Sequence, residues 1–227
     1  MMGWPPGRAL PIGRICRLSI GGCPVEAVFD VPHGRGESLS GVAVRLAEEL
    51  AGAAIGAAAG AVRVAAALPS GRPMVLVDGE TSGLALSISH TPGLYGAAVS
   101  QAGAVGLDIV DPADAGRPLD VFFTPDELAF LPDDYGLLRA MLWAAKEAAY
   151  KAARFDTEFR PRQVMIESLS PNGFTWCMRD RYVEARGEGG LATVGRHMVA
   201  LAAAVPGRGD SPASGASADM REAVSCS

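Results

Sequence analysis

Two long helical patterns, each surrounded by short apolar runs, limit the folds open to this chain. Apolar residues recur at helical spacing over residues 39–59 and again over residues 134–154. The runs around them alternate or are wholly apolar and are separated by turns rich in Gly and Pro. This order predicts an α+β chain of two similar halves, each with one long helix among strands. We place the halves at residues 1–101 and 102–206, followed by a disordered Gly/Ser/Ala/Asp-rich tail at 207–227.

The apolar runs predict the strands. A Gly-Gly-Cys-Pro turn divides residues 14–30 into a strand pair, and the segment 101–103 is typical of a hairpin turn between the runs 94–100 and 105–110. Further strands are expected at residues 62–67, 74–77, 84–89, 164–169, 174–179, 182–188 and 197–205.

Composition and charge exclude several classes of protein. Hydrophobic residues make up 49% of the 227 residues and charged residues 20%, as in a globular protein with a substantial core. The net charge of −5 argues against nucleic-acid binding, which requires a broad basic surface. The cysteines lack metal-ligand spacing and indicate a reduced, cytoplasmic setting. Neither a signal peptide nor a membrane span is predicted, since glycines interrupt the Ala-rich run at residues 50–67.

The stretch from residue 106 to residue 151 carries the candidate chemistry. It contains Lys146 and Lys151, the only lysines among the 20 Lys and Arg residues of the chain. Lysine can lose its proton and rotate its ammonium group, whereas guanidinium stays charged and planar. On a helix, Trp143, Glu147 and Lys151 lie in one stripe with Lys146 beside it, which suggests a site on that face.

Asp108 and Glu147 are the candidate metal ligands of this stretch. If the strand face with Asp108 meets the helix stripe with Glu147, two carboxylates converge beside two ammonium groups. Two oxygen ligands with open positions suit Mg²⁺ completed by a substrate phosphate, and nearby lysines suit charge on a phosphoryl leaving group. The alternative is that Asp108 begins a loop, while Glu147 and Lys151 form an exposed i,i+4 pair worth about 0.3 kcal/mol.

Five blocks in one order resemble the 4′-phosphopantetheinyl transferase superfamily. They are Gly71-Arg72-Pro73, Ser87-Ile88-Ser89-His90-Thr91, Gly106-Leu107-Asp108-Ile109, Phe122-Phe123-Thr124-Pro125-Asp126-Glu127, and Trp143-Ala144-Ala145-Lys146-Glu147-Ala148 with Lys151. The resemblance covers about residues 35–155, and its first two blocks are similar to the longer, monomeric class that activates synthetases and carrier proteins. It implies two α+β halves related by a pseudo-two-fold axis, with the ligand between them.

The resemblance also implies a reaction and a set of site residues. Such an enzyme transfers 4′-phosphopantetheine from coenzyme A to a serine of an apo carrier protein and releases 3′,5′-ADP. Asp108 and Glu147 would hold Mg²⁺, Lys151 would contact the phosphate and the leaving group, and Lys146 would bind the nucleotide phosphates. The adenosine and 3′-phosphate end of coenzyme A would be bound by Arg35, Arg72, Ser89 and His90.

Several residues have two interpretations. Glu127 matches the general base proposed for the longer class, but it also completes a capping box with Thr124. His90 is either a ligand of coenzyme A or a structural histidine, and Trp143 is expected to be a core residue that orients its helix. Val110 stands where the longer class usually has a glutamate that serves as a third metal ligand.

Two alternative functions are compatible with the sequence, and one group of arginines has two interpretations. The chain could be a catalytically impaired member that binds coenzyme A or a carrier protein without transfer. Val110 is the sequence feature that suggests this alternative. It could also be a Mg²⁺-dependent nucleotide or phosphate enzyme of another class. Arg154, Arg160 and Arg162 are candidates for steering an acidic carrier protein, or they form a solvated face.

Overall fold

The computed structural model describes residues 8–32, 38–58, 60–68, 70–113, 119–131, 136–153, 158–179, 184–204 and 225–226. The first part of the chain forms β1 (Arg8–Ala9), β2 (Cys16–Ile20), β3 (Cys23–Asp30), α1 (Leu39–Ile55), β4 (Val62–Ala67), β5 (Arg72–Val77), β6 (Glu80–Thr81), β7 (Ala85–Thr91) and β8 (Leu94–Ser100). The second part forms β9 (Val105–Val110), a 3-10 turn (Leu119–Phe122), α2 (Pro125–Leu128), α3 (Gly136–Ala153), a second 3-10 turn (Pro161–Gln163), β10 (Val164–Leu169), β11 (Gly173–Arg179), β12 (Glu184–Val194), β13 (His197–Ala204) and β14 (Ser225–Cys226).

The strands form three sheets, and each of the two larger sheets carries one long helix. The first has the order β14-β2-β3-β8-β7 and packs against α1, while β4, β5 and β6 form a small separate sheet. The second has the order β10-β11-β12-β13-β9, with β1 parallel to β12, and packs against α3. The predicted α+β class is therefore confirmed. In the described part of the chain, no helix is long and apolar enough to cross a lipid bilayer.

The division into halves at residue 101 stays a prediction, and two segments pair across it. Strand β1 joins the sheet of the second half, and β14 joins β2 in the first half. The tail prediction therefore differs from the structure at Ser225–Cys226, while residues 205–224 and 227 lie outside the described residues.

Helix α1 is shorter than predicted. Its N-terminus is capped by Ser38, whose side chain accepts a hydrogen bond of 3.1 Å from the amide of Gly41. Its C-cap is Gly56, which has the left-handed conformation with φ of 68°. The Gly56 amide donates to the carbonyl of Gly52. The expected end near residue 59 was wrong because the earlier glycine already provides a left-handed cap.

The predicted hairpin between β8 and β9 was wrong. Strand β8 pairs with β3 and β7, whereas β9 pairs with β13 in the other sheet. The intervening residues bond to other elements: Ser100 donates to the Pro24 carbonyl at 2.8 Å, and Gln101 donates to the Ala54 carbonyl at 2.7 Å. The chain crosses here from one sheet to the other.

Strand β12 extends beyond the expected end at residue 188. Gly187 and Gly189 lie inside the strand, where aromatic side chains of β11 occupy the space of their missing side chains. A Cβ atom at Gly189 would lie 2.0 Å from the Phe174 ring, and one at Gly187 would lie 2.7 Å from the Trp176 ring. These glycines therefore allow close packing between β11 and β12.

Helix α3 lies unusually close to β9 because both elements have small residues at their contact. Ala148 and Ala152 on the helix are fully buried, and a Cβ atom at Gly106 would lie 1.9 Å from the Ala148 carbonyl oxygen and 2.7 Å from the Ala152 nitrogen. Backbone atoms of a helix cannot move aside without breaking its hydrogen bonds. Glycine at this position therefore sets the distance between the strand with Asp108 and the helix with Glu147 and Lys151.

Gly106→Ala should destabilise the protein by about 3 kcal/mol or more, because the added methyl group forces apart two packed elements. Urea unfolding followed by circular dichroism would measure the loss. Gly103→Ala is the matched control, since its nearest contacts would lie at an ordinary 3.7 Å. Equal stability of the two variants would contradict the proposed close packing.

Candidate active site

The predicted convergence of Asp108 with Glu147 and Lys151 occurs in the structure. Asp108 on β9 is 5% exposed and points toward α3, while Leu107 and Ile109 on the opposite face enter the apolar core. The Lys151 ammonium lies 2.7 Å from Asp108 Oδ1 and 3.0 Å from the Leu107 carbonyl oxygen. The same ammonium lies 3.8 Å from Glu147 Oε2, one helical turn earlier. We call these three side chains the acidic cluster.

The acidic cluster carries more negative charge than its lysine neutralises. Burial and the neighbouring Asp108 carboxylate raise the pKa of Glu147 to about 7, although the Lys151 charge and a hydrogen bond with Trp143 lower it. Burial away from water and a like charge nearby both favour the neutral form of a carboxyl group. Near pH 7 the Glu147 carboxyl therefore still binds a proton in a large share of the molecules when no other cation is present.

This charge balance fits a divalent cation. Two carboxylates side by side supply hard oxygen ligands of the kind that Mg²⁺ prefers, and Mg²⁺ commonly completes its shell with water and phosphate oxygens. Among the described residues, no group of three or more His, Cys, Asp or Glu side chains could hold a metal. Asp108 and Glu147 alone would then supply the protein ligands of the cation.

Asp111 does not replace the carboxylate that is missing at Val110. Its Oδ2 atom lies 2.8 Å from the Arg196 guanidinium, and its Oδ1 atom accepts a bond of 3.0 Å from the Ala113 amide. These contacts, with the backbone bond contributing most, lower the pKa of Asp111. The carboxylate is thus committed to the end of β9 and the start of β13, outside the acidic cluster.

Ser89, which was expected to bind the adenosine and 3′-phosphate end of coenzyme A, lies next to the acidic cluster. It is 7% exposed, and its hydroxyl donates to Asp108 Oδ1 at 3.0 Å. The same hydroxyl accepts a bond of 3.2 Å from the Ile109 amide. The next residue, His90, is exposed near the end of β7, and Arg35 lies outside the described residues.

Glu127 and Lys146 form a separate buried ion pair. They are 1% and 0% exposed, and the Lys146 ammonium bonds to Glu127 and to the Val164 carbonyl oxygen. Glu127 also accepts bonds from the amides of Ile166 at 2.9 Å and of Thr124 at 2.8 Å. Burial lowers the pKa of Lys146, and the Glu127 charge opposes this shift.

This geometry favours the capping-box interpretation of Glu127 over a general base. Both bonds of the box are present, and the carboxylate links α2 to α3 and β10. Lys146 likewise has no exposed surface with which to contact nucleotide phosphates. The sequence motif identified both residues, but only the fold separates them from the acidic cluster.

A cavity of about 510 Å³ adjoins the acidic cluster and is lined by residues of both halves. The small sheet contributes Arg72, β7 contributes Ser87, and α3 contributes Tyr150 and Lys151. Two cationic side chains and several hydroxyl groups suit an anionic ligand, and the remaining wall is largely apolar. Arg72 was expected here; Tyr150 was not.

A row of aromatic rings on the outer side of α3 was also not predicted. Ring centroids lie 5.2 Å apart between Phe122 and Trp143, 5.7 Å between Trp143 and Phe159, and 4.9 Å between Phe159 and Tyr150. Trp143 is only half-buried, so it is part of this row rather than of the central core. The spacing of Trp143, Glu147 and Tyr150 on one helix was the available signal. The row connects an exposed surface to the cavity.

The fold and the site define an α+β protein in which a cavity with two cationic side chains in its wall adjoins the carboxylates of Asp108 and Glu147. A family model described as the 4′-phosphopantetheinyl transferase superfamily matches residues 104–186. The match includes Asp108, Glu127, Lys146, Glu147 and Lys151, and it confirms the resemblance at the level of the superfamily. No curated protein matches the chain. Arg72, Ser89 and His90 lie before the matched residues.

The raised pKa of Glu147 makes the metal-free protein less stable as pH increases. The folded protein binds more protons than the unfolded chain between the ordinary pKa of 4.5 and about 7, so stability falls across this range. We expect a loss of about 2 kcal/mol between pH 5 and pH 8, less than the full pKa difference implies because solvent screens the partly exposed side chain. Glu147→Gln should remove most of this loss.

Urea unfolding in EDTA at both pH values would measure the effect. Glu80→Gln, on the exposed strand β6, is the control and should follow the wild type. If Glu147→Gln and the wild type lose stability equally over this range, the carboxylates do not interact as described.

Proposed function

We propose that the protein transfers 4′-phosphopantetheine from coenzyme A to a serine hydroxyl of an apo carrier protein, with release of 3′,5′-ADP. The observation that carries this proposal is the acidic cluster, which lies within the residues that the family model matches and adjoins a cavity lined by Arg72 and Lys151. We also propose the longer, monomeric class and a cytoplasmic location, as expected from the sequence.

Mg²⁺ would be held by Asp108 and Glu147, and when bound it would neutralise charge on the pyrophosphate. Lys151 would bind the phosphate and stabilise the charge that develops on the leaving nucleotide. Arg72 would bind the nucleotide end, because it lines the same cavity as Lys151. The presence of these two cations in one cavity supports an anionic ligand such as coenzyme A.

We assign the proton-accepting role to Glu147 rather than to Glu127. All the contacts of Glu127 are internal, whereas the Glu147 side chain is 28% exposed at the open side of the acidic cluster. A general base must reach the proton that it removes, and geometry takes precedence over pKa in such an assignment. Ser89 and Lys146 are left with structural roles in this proposal.

The acceptor serine would approach across the exposed surface next to the aromatic row. Val121 is 59% exposed and Phe122 is 38% exposed, and Arg162 Nε donates to the Val121 carbonyl at 3.0 Å. Arg160 and Arg162 are exposed and form no ion pair among the described residues. We call Val121, Phe122, Arg160 and Arg162 the docking patch; its apolar centre and cationic rim suit an acidic carrier protein. Arg154 lies outside the described residues.

A catalytically impaired member that binds coenzyme A without transfer is the second candidate. Val110 favours it, because Asp111 is committed to Arg196 and the acidic cluster has only two carboxylates. The two candidates differ in turnover, not in binding.

Mass spectrometry of an apo carrier protein incubated with coenzyme A, Mg²⁺ and this protein tests the proposal. We expect a mass gain equal to the phosphopantetheine arm, and a rate reduced roughly 100-fold or more in Lys151→Ala because charge on the leaving group is no longer offset. Arg14→Ala, in the exposed loop before β2, is the control. Binding of coenzyme A without a mass gain for several carrier proteins would support the impaired member. Absence of both would contradict the assignment to this reaction.

Changes in the docking patch should weaken carrier protein binding without altering the chemistry. We expect Val121→Ser combined with Arg162→Glu to raise KM for the carrier protein roughly tenfold, with kcat and the KM for coenzyme A unchanged. Ile12→Ser combined with Arg14→Glu is the matched control. Ile12 is 44% exposed and precedes β2, which belongs to the other large sheet. An equal KM for both double variants would exclude this surface.

A further inference from the structure

The two large sheets meet edge to edge at β7 and β9 without a backbone ladder between these strands. Both strands are terminal in their sheets, and they pack side by side. The amides of Leu107 and Ile109 on β9 donate instead to side-chain hydroxyls on β7: to Ser87 Oγ at 2.9 Å and to Ser89 Oγ at 3.2 Å. Serine side chains thus supply acceptors for two buried amide groups that would otherwise be unpaired.

Ser87 and Ser89 each accept a hydrogen bond from a β9 amide, but only Ser89 also bonds to Asp108. Ser89 also donates its proton to Asp108 Oδ1 at 3.0 Å, and Ser87 lines the cavity instead. The bonds form a short chain from the Ile109 amide through Ser89 to Asp108. Because Lys151 donates to the same oxygen at 2.7 Å, two donors hold Oδ1 and restrict rotation of the carboxylate.

We propose that Ser89 is a positioning residue for the metal-binding carboxylate of Asp108, and not a contact of coenzyme A. Its hydroxyl donates its one hydrogen to Asp108 and accepts a hydrogen bond from Ile109, and the residue is 7% exposed. A group that bonds to a ligating carboxylate sets its orientation and thereby the metal affinity. The inference rests on the proposed function in so far as Asp108 holds Mg²⁺.

Ser87→Ala and Ser89→Ala form a matched pair for testing this role. Both remove an acceptor from a β9 amide, so both should lower stability by a similar amount, but only Ser89→Ala releases Asp108. We expect Ser89→Ala to weaken Mn²⁺ binding, measured by electron paramagnetic resonance on the full chain, roughly tenfold. Ser87→Ala should leave Mn²⁺ affinity within about twofold of the wild type.

Affinity for coenzyme A in EDTA separates the two roles of Ser89. A positioning residue predicts unchanged affinity in Ser89→Ala, whereas a direct contact predicts a clear loss. The proposal is overturned if Ser89→Ala weakens coenzyme A binding but not Mn²⁺ binding, or if both alanine variants weaken Mn²⁺ binding equally.

Failure of the proposed function gives a different result. If the wild-type protein binds no Mn²⁺ even with coenzyme A present, the metal assignment fails. Crystal structures of the two alanine variants still decide the role of Ser89. A rotated Asp108 carboxylate in Ser89→Ala alone supports positioning, and an unchanged carboxylate in both variants contradicts it.

Discussion

The close contact between β9 and α3 at Gly106 determines where the charged groups of this protein meet. The absence of a side chain there lets the strand lie against the backbone of Ala148 and Ala152. Asp108, two residues further along the strand, then reaches Lys151 on the helix at 2.7 Å. A larger separation would admit water between them and weaken every charge interaction of the site. Apolar packing and electrostatics are therefore linked at this one contact.

The two lysines of the chain neutralise buried acids on different sides of α3. Five residues apart on a helix, Lys146 and Lys151 point in directions separated by about 140°. Lys146 meets Glu127 in a fully enclosed pair that joins α2, α3 and β10, whereas Lys151 meets two carboxylates and is 29% exposed. The enclosed pair of Lys146 and Glu127 has almost no exposed surface to which a ligand could bind. The open group with excess negative charge is the one suited to a cation and a phosphate.

Sequence reasoning found the acidic cluster because strand alternation and helical spacing each place side chains on one face. Asp108, Glu147 and Lys151 follow from these two periodicities once β9 is assumed to pack on α3. Contacts that depend on which sheets adjoin could not be found in this way. The pairing of β9 with β13 rather than β8, and the bonds from Ser87 and Ser89 to β9, arise between segments with no shared local pattern. Glu127 and Lys146 match the motif equally well whether buried or exposed.

The cavity is lined by residues from both sides of the contact between β7 and β9. Tyr150 and Lys151 come from the residues that the family model matches, while Arg72 and Ser87 come from the part of the chain before them. An anionic ligand that contacts Arg72 and Lys151 together would join the small sheet to α3. Asp108 is bonded to β7 through Ser89, so the orientation of its carboxylate depends on how β7 and β9 pack. Residues that precede β9 thus form most of the cavity wall, and Ser89 connects this part of the chain to the carboxylate that we propose as a metal ligand.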